Sequence, residues 1–554
     1  MKTRSGRFVA SVALGLGGLH PLCLSAQIVT SQVDQLFATY ATGKSPGCSV
    51  GVVQNGSFVY RKAHGFGSLE LNVPLSPESV FYMGSISKQF TAASVVLAAS
   101  MGFLALDDDI HKFIPELPDY GRPVTLRQML HQTSGFRDFF TLLYLAGRQD
   151  SGFHAQDVLD LVVRQRSLNN EPGAEFIYSN TNYFLLGIVI ERATGKSLAQ
   201  FAKENIFQPL GMTHTRFADD RTAVIPNRIA AYDPGPGETF LTDWSSTFDV
   251  VGAGGLMSNV DDMRLWENNF RQDRLGKGIL MVELQAPGVL NDGNQVSYAL
   301  GLELGTYRGM PTVGHNGSLF GFRTEVLRLP QQELSIICLC NLSIAPTGSL
   351  VRKIADIYLS PSVQADTNHS STPTDKKLED LSLFQGEYLD PRTHTLFSFT
   401  VAKGELVGWG MPLRRTGSNT FNDLGTGIIT FNRTGGSMTT TLTMDGEVAF
   451  AGGRVTAVRI SNAELAALSG TYSSSELDES YQLSLKEGHL ILHNGSNAPV
   501  TLAAITASDF EAGDLGTIVF QRGSDKRISG LSVFSGNVRG ITFKREPSAA
   551  RSAE

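Results

Sequence analysis

Three short patterns in this chain carry side chains that could do chemistry together. The first is Tyr82-Met-Gly-Ser85-Ile-Ser-Lys88, where a hydroxyl and an amine stand three positions apart. On a helix that spacing puts both on one face, with Cβ atoms about 5–6 Å apart. A serine in the first helical turn also sits in the positive field of the helix N-terminus, which favours a developing oxyanion. Lys88 can accept or electrostatically stabilise the hydroxyl proton, which makes Ser85 a candidate nucleophile. Ser-x-x-Lys occurs once in the chain.

The second pattern is Tyr178-Ser-Asn180, after a Pro172-Gly173 turn, and no other tyrosine begins a Tyr-x-Asn triplet. Its phenol can act as acid or base, and its amide can orient both Lys88 and a substrate carbonyl. A helix N-cap at Asn180 would explain the triplet structurally, and the two roles are compatible. The third pattern is Gly314-His315-Asn-Gly317-Ser318. Its tetrapeptide recurs as His493-Asn-Gly495-Ser496 between strand-like runs, where it reads as a hairpin turn. Order along the chain and domain membership select His315.

Other candidates read as structural. Gly47-Cys-Ser49-Val-Gly51 matches a GxSxG elbow, but that elbow needs a helix after it. Here an Asn55-Gly56 hairpin follows, so Ser49 is set aside. His64, His111, His131 and His154 show no ligand spacing and are read as surface or packing residues. Asp261 lies three residues after Ser258 and is read as a capping-box partner.

The elements that must position these residues follow from periodicity. Val50–Val53 and Phe58–Tyr60 flank the Asn-Gly turn as strands. Helical patterns cover Ser87–Leu104 and Asn182–Phe201, strands Thr324–Leu329 and Leu334–Leu342, and a helix Gly348–Tyr358. Strands at both ends with helices between them predict an α+β layer whose first and last strands share one antiparallel sheet. Residues 362–377 are polar and carry Pro373, which makes a linker. Beyond it the pattern is β throughout, and it repeats. Leu381-x-x-Phe384-Gln-Gly386-Glu-Tyr388 matches Leu465-x-x-Leu468-Ser-Gly470-Thr-Tyr472, and Phe431-Asn-Arg433 matches Phe520-Gln-Arg522. Two tandem barrel-like units, at 378–460 and 461–546, are expected. They should limit access to the site or join subunits into a homo-oligomer, without supplying a reacting group.

A net charge of −7 gives no basic excess for nucleic acid, and 42% apolar with 18% charged residues is an ordinary globular composition. Lys2, Arg4 and Arg7 precede a short apolar run, Phe8–Leu19, and Ser25-Ala26. That is the pattern of a cleaved secretory signal over 1–26, implying a periplasmic or secreted product with no membrane span. Cys48, Cys338 and Cys340 lie in apolar strand-like runs and are expected as free, buried thiols rather than a disulfide or a zinc site.

With SxxK, YxN and HxG in that order, the domain expected over 27–361 resembles, from about Val33 to Tyr358, the β-lactamase-related serine hydrolases: class C β-lactamases, DD-carboxypeptidases, D-aminopeptidases and class C-like esterases. Leu130-His-Gln-Thr-Ser-Gly-Phe136, Pro209-Leu-Gly-Met212 and Gly254-Gly-Leu-Met-Ser-Asn-Val-Asp-Asp262 extend the likeness. The resemblance implies a β-lactamase/DD-peptidase-like domain in which Ser85 attacks a carbonyl and Lys88 and Tyr178 handle protons. Asn180, His315 and Gly317 would contact substrate, and the backbone N–H groups of Ser85 and Ser318 would form the oxyanion hole. No cofactor and no metal are called for. His315-Asn316 stands where a Lys-Thr pair would grip a carboxylate. Small peptide, amide or ester substrates therefore rank above β-lactams, with β-lactamase or DD-carboxypeptidase action as the alternative and a non-catalytic binder as a further one.

Overall fold

The computed structural model describes residues 21–547, except 42, 149–152, 243–248, 360–379, 423–426, 445–446, 457 and 496. Residues 1–20 of the expected leader and the whole expected linker fall outside the described residues.

A six-stranded antiparallel sheet forms the spine of the first region. β1 (Cys48–Gln54) turns through Asn55 and Gly56, both at positive φ, into β2 (Ser57–His64), as the Asn-Gly pair predicts. The chain returns to the sheet much later as β3 (Glu303–Tyr307), β4 (Met310–Leu319), β5 (Phe322–Leu329) and β6 (Leu334–Cys340). The order is β3-β4-β5-β6-β1-β2, so the first and last strands are neighbours as expected. Helix α1 (Pro21–Leu36) precedes the sheet. Helices α2 (Ser87–Ser100), α3 (Asn180–Thr194) and α4 (Val260–Gln272) belong to the long insertion, and α5 (Thr347–Tyr358) follows β6. Val33 of α1, Phe37 just after it, and Leu350, Val351 and Ile354 of α5 cover one face of the sheet. The insertion covers the other. Every α2 residue from Ser87 to Ala98 is buried, which is the state of a helix without a polar face.

Three expectations need correction. Cys48 and Cys340 form a disulfide, because antiparallel register sets them directly opposite each other. Of these three cysteines, Cys338 keeps a buried free thiol, its Sγ 3.7 Å from that of Cys340. The helix expected over Asn182–Phe201 breaks at Gly195, which takes φ 72°, and restarts at Leu198 under a Ser197 cap. Asp261 is no capping partner: Asn259 caps α4 by accepting from Asp262 N–H, while Asp261 pairs with Arg61 at the surface. Ser49 is fully buried mid-strand and bonds to the Ser76 carbonyl, consistent with its structural reading.

The two repeats differ in closure. Residues from Gly386 to Val455 form a nine-stranded antiparallel sheet. Its two edge strands, Met411–Pro412 and Arg414–Arg415, are separated only by Leu413, so the sheet curls until its edges almost meet. Residues from Gly470 to Arg545 form a closed barrel. The first repeat has its own core around Phe384, Tyr388, Phe399, Phe421 and Phe431. The second does not stand apart: Tyr472, Tyr481, Leu531 and Phe543 belong to one continuous apolar core with Phe139, Leu142 and Leu145 of the first region.

Candidate active site

Ser85 lies in a single 3-10 turn, Gly84–Ile86, that runs directly into α2, so Lys88 follows one turn later on the same face. The Lys88 side chain is fully buried and all three of its donor directions are used. Its Nζ is 3.0 Å from Ser85 Oγ, 2.8 Å from Asn180 Oδ1 and 2.9 Å from the Ala253 carbonyl. Burial lowers its pKa to about 7, against the opposing charges of Asp138 and Glu303. Tyr178 donates to Ser85 Oγ at 2.9 Å. Burial pushes its pKa upward, so the phenol keeps its proton. One serine oxygen thus faces an amine able to be neutral near pH 7 and a phenol that stays protonated.

Asn180 is the first residue of α3 rather than its cap. Its amide is pinned from behind, since Asp138 Oδ2 accepts from both its backbone N–H (2.6 Å) and its Nδ2 (2.8 Å). Asp138 is buried and caps the helix Phe139–Leu145 with its other oxygen.

β4 supplies the opposite wall. A Cβ at Gly317 would sit 2.2 Å from the Met83 carbonyl, and one at Gly84 would sit 2.8 Å from Ser318 N. Both glycines are therefore dictated by close approach of strand and turn, and that approach brings the Ser318 N–H beside the Ser85 turn. His315 is buried, with Nε2 3.0 Å from Tyr298 Oη and Nδ1 2.6 Å from the Asn316 carbonyl. Burial lowers its pKa, so β4 presents no cation here. The exposed Glu303 stands at the start of β3, opposite Gly314, where β4 runs on past its partner strand. Such an arrangement can activate a hydroxyl, protonate a leaving group and stabilise an oxyanion between two backbone donors.

A family model described as Beta-lactamase matches residues 33–357. The chain belongs to the β-lactamase family. It is, accordingly, a serine hydrolase. The D-aminopeptidase of Brucella anthropi is 27% identical over 524 residues, covering 91% of this chain and 96% of that protein. That likeness is too long for the family domain alone and takes in the β units. The D-aminopeptidase of Brucella canis is 31% identical over 299 residues, 54% of this chain and 57% of its own length. Among solved structures, the octameric penicillin-binding protein homologue from Pyrococcus abyssi covers 86% of this chain and 99% of its own, with TM-score 0.53 and 18% identity. The D-amino acid amidase from Ochrobactrum anthropi SV3 covers 60% and 98%, with TM-score 0.51 and 23% identity. These two share the fold.

In this β-lactamase-family chain the structure brings Ser85, Lys88, Tyr178 and Asn180 into direct contact and sets Gly317 and Ser318 against the serine turn. His315 reaches them through rings: its centroid is 6.2 Å from that of Tyr178. The second tetrapeptide, at His493, ends the strand His489–Asn494 in the barrel and leads toward Val500–Ala504, as a hairpin reading requires. Sequence reasoning missed Asp138, Ala253 and Tyr298. Asp138 follows the Leu130–Phe136 stretch by two residues and Ala253 precedes Gly254, so both were adjacent to visible family-like runs. Tyr298 carries no local pattern.

Proposed function

We propose that this chain is an exported hydrolase of the D-aminopeptidase or amidase type, working through an acyl-enzyme on Ser85, with activity on small esters. The observation that carries it is the sharing of Ser85 Oγ between Lys88 and Tyr178. Neutral Lys88 takes the Ser85 proton as Oγ bonds to the substrate carbonyl carbon. The oxyanion is held by the N–H groups of Ser85 and Ser318. When the C–N or C–O bond breaks, the departing group takes a proton from Tyr178, and the Lys88 ammonium returns its own to the phenol. Water then attacks the ester and the same groups act in reverse.

Substrate preference rests on charge. A neutral His315 and the exposed carboxylate of Glu303 leave this wall without the cation that would hold an anionic substrate. Amides bearing a free amine and uncharged esters fit better than β-lactams, and the similarity to D-aminopeptidases supports a substrate of the amide class. The leader at residues 1–26 supports export, and the exposed Trp409 and Met411 of the first repeat offer a surface for subunit contact.

A fluorophosphonate probe should add its mass to the wild type and not to Ser85→Ala. D-Alanyl anilides and p-nitrophenyl esters should turn over faster than a chromogenic cephalosporin. The rate should rise with pH through about 7 as Lys88 loses its proton. Absence of a Ser85-dependent adduct and of all turnover would leave a binding protein. Fast cephalosporin hydrolysis alone would leave a β-lactamase.

A further inference from the structure

The buried ion pair between the closed barrel and the first region lies one residue from the machinery just described. Glu476 sits in the turn between barrel strands Gly470–Ser474 and Glu479–Lys486, with its side chain buried. Its Oε1 accepts from Arg137 Nη1 and from Arg166 N, both at 2.8 Å. Arg137 is equally buried. Its remaining donors go to the Arg539 and Gly540 carbonyls, Gln165 Oε1 and Ser167 Oγ. The guanidinium is shielded from solvent, and loss of its partner would leave an uncompensated charge.

Arg137 is joined by a peptide bond to Asp138, and its carbonyl accepts from Thr181 Oγ1 at 2.6 Å, next to Asn180. The barrel also contacts Asp138 itself, whose N–H points to the Asn537 carbonyl at 3.4 Å. From Asp138 the contacts continue to Asn180 and from Asn180 to Lys88 Nζ. A second grip lies on the Tyr178 side. Arg539 pairs with Glu175 at 3.1 Å, three residues before Tyr178, and Arg392 of the first repeat holds the same carboxylate.

We propose that Glu476 is a positioning residue of the catalytic centre: through Arg137 it fixes Asp138, and through Asp138 and Asn180 it holds the Lys88 amine on Ser85. The inference rests on the hydrolase reading above. It gives the barrel a task beyond restricting access or joining subunits, although the barrel supplies no reacting group.

The experiment uses the full chain with Glu476→Gln, which keeps size and removes charge. The kcat for a small p-nitrophenyl ester should fall roughly 10–100-fold with KM little changed, the penalty of a misplaced group. Lys88 faces the charges of Asp138 and Glu303, with Tyr178 and His315 also packed around it. When Asp138 drifts, Lys88 loses a supporting negative charge. Its titration, read by NMR of ε-labelled lysine and assigned with Lys88→Arg, should move to lower pH by roughly one pH unit. Glu476→Asp should recover part of both effects, and Asp478→Asn, exposed in the same turn, should show neither.

A folded Glu476→Gln chain with unmoved Lys88 titration overturns the proposal, whatever its kcat. So does failure of both Glu476 variants to fold, which would make the residue structural only. The NMR readout separates this failure from that of the hydrolase reading, because it needs no turnover: a wild type without activity whose Lys88 titration still responds to Glu476→Gln retains the coupling and loses the chemistry.

Discussion

The two β repeats start from one local device and end in different relations to the rest of the molecule. In each, a tyrosine donates to the carbonyl four residues earlier: Tyr388 to Phe384 at 3.0 Å and Tyr472 to Leu468 at 2.7 Å. In each, a glycine at φ 143° or 149° lets an arginine lie over that tyrosine ring, Arg454 over Tyr388 and Arg545 over Tyr472. The first repeat then closes its aromatic residues upon themselves. The second shares its apolar core with the serine hydrolase domain and buries a charge pair at the junction. What differs is what the outside of each unit touches. A repeat that meets its neighbours through a few polar side chains can be an appendage; one that shares a core has become part of the neighbour's scaffold.

The comparison breaks most decisively if the second repeat can be removed. A chain stopped at residue 460 uncovers the apolar residues around Phe139 and Leu142, and we expect loss of near-UV circular dichroism and of all ester turnover. A soluble truncated chain with wild-type turnover would show the shared core to be dispensable.

Point substitutions sharpen the contrast at smaller scale. Tyr481 is buried and donates to the Leu145 carbonyl across the junction, so Tyr481→Ala should cost about 3–5 kcal/mol and depress turnover with it. Phe431→Ala in the first repeat should cost a similar amount in denaturant melts while small-ester turnover stays at the wild-type level.

At Glu175 the two repeats compete directly. Arg539 is 16% exposed and Arg392 is 40% exposed. Arg539→Ala should lower kcat several-fold, and Arg392→Ala should change it by less than about twofold, since exposed pairs contribute little. Equal effects in steady-state kinetics would erase the distinction.

The smallest effect is at the contact between the repeats, where Asp509 Oδ1 meets His394 Nδ1 at 2.7 Å. Burial raises the Asp509 pKa, but hydrogen bonds from His394, Thr506 and Ser508 outweigh it, leaving the group below its ordinary value. A depressed carboxyl stabilises above its unfolded pKa of about 3.9 and stops doing so as pH falls through the lower folded value. The melting temperature of Asp509→Asn should therefore lie slightly below wild type at neutral pH, with the gap closing only in strong acid.

The site was legible in the sequence to the extent that its residues sit within single short motifs. Ser85 with Lys88 and Tyr178 with Asn180 each announce themselves by spacing, whereas His315 with Gly317 is told from the identical run at His493 only by its order along the chain. Asp138 and Tyr298 did not, because what makes them relevant is contact with residues far away in the chain. The disulfide is the instructive case. The first and last strands prove to be antiparallel neighbours, and Cys48 at the start of one falls opposite Cys340 at the end of the other. Strands read as Val50–Val53 and Leu334–Leu342 put neither cysteine at a strand end, and local apolar context pointed to free thiols. Strand alternation, in turn, separates the inside of a barrel from its outside. It says nothing of which outer surfaces are covered, so the docking of the second repeat was invisible.

The ion pair of Arg137 with Glu476 spans 339 residues of sequence. A ribosome adding about 5–20 residues per second needs roughly 20–70 s to cross that interval. For that time Ser85 and Lys88 already exist outside the ribosome, but the group that holds their neighbours in place has not been made. The order of synthesis thus delays a competent nucleophile until the barrel's first strand and the turn after it have been made, and a chain released early carries the motif without the means to aim it.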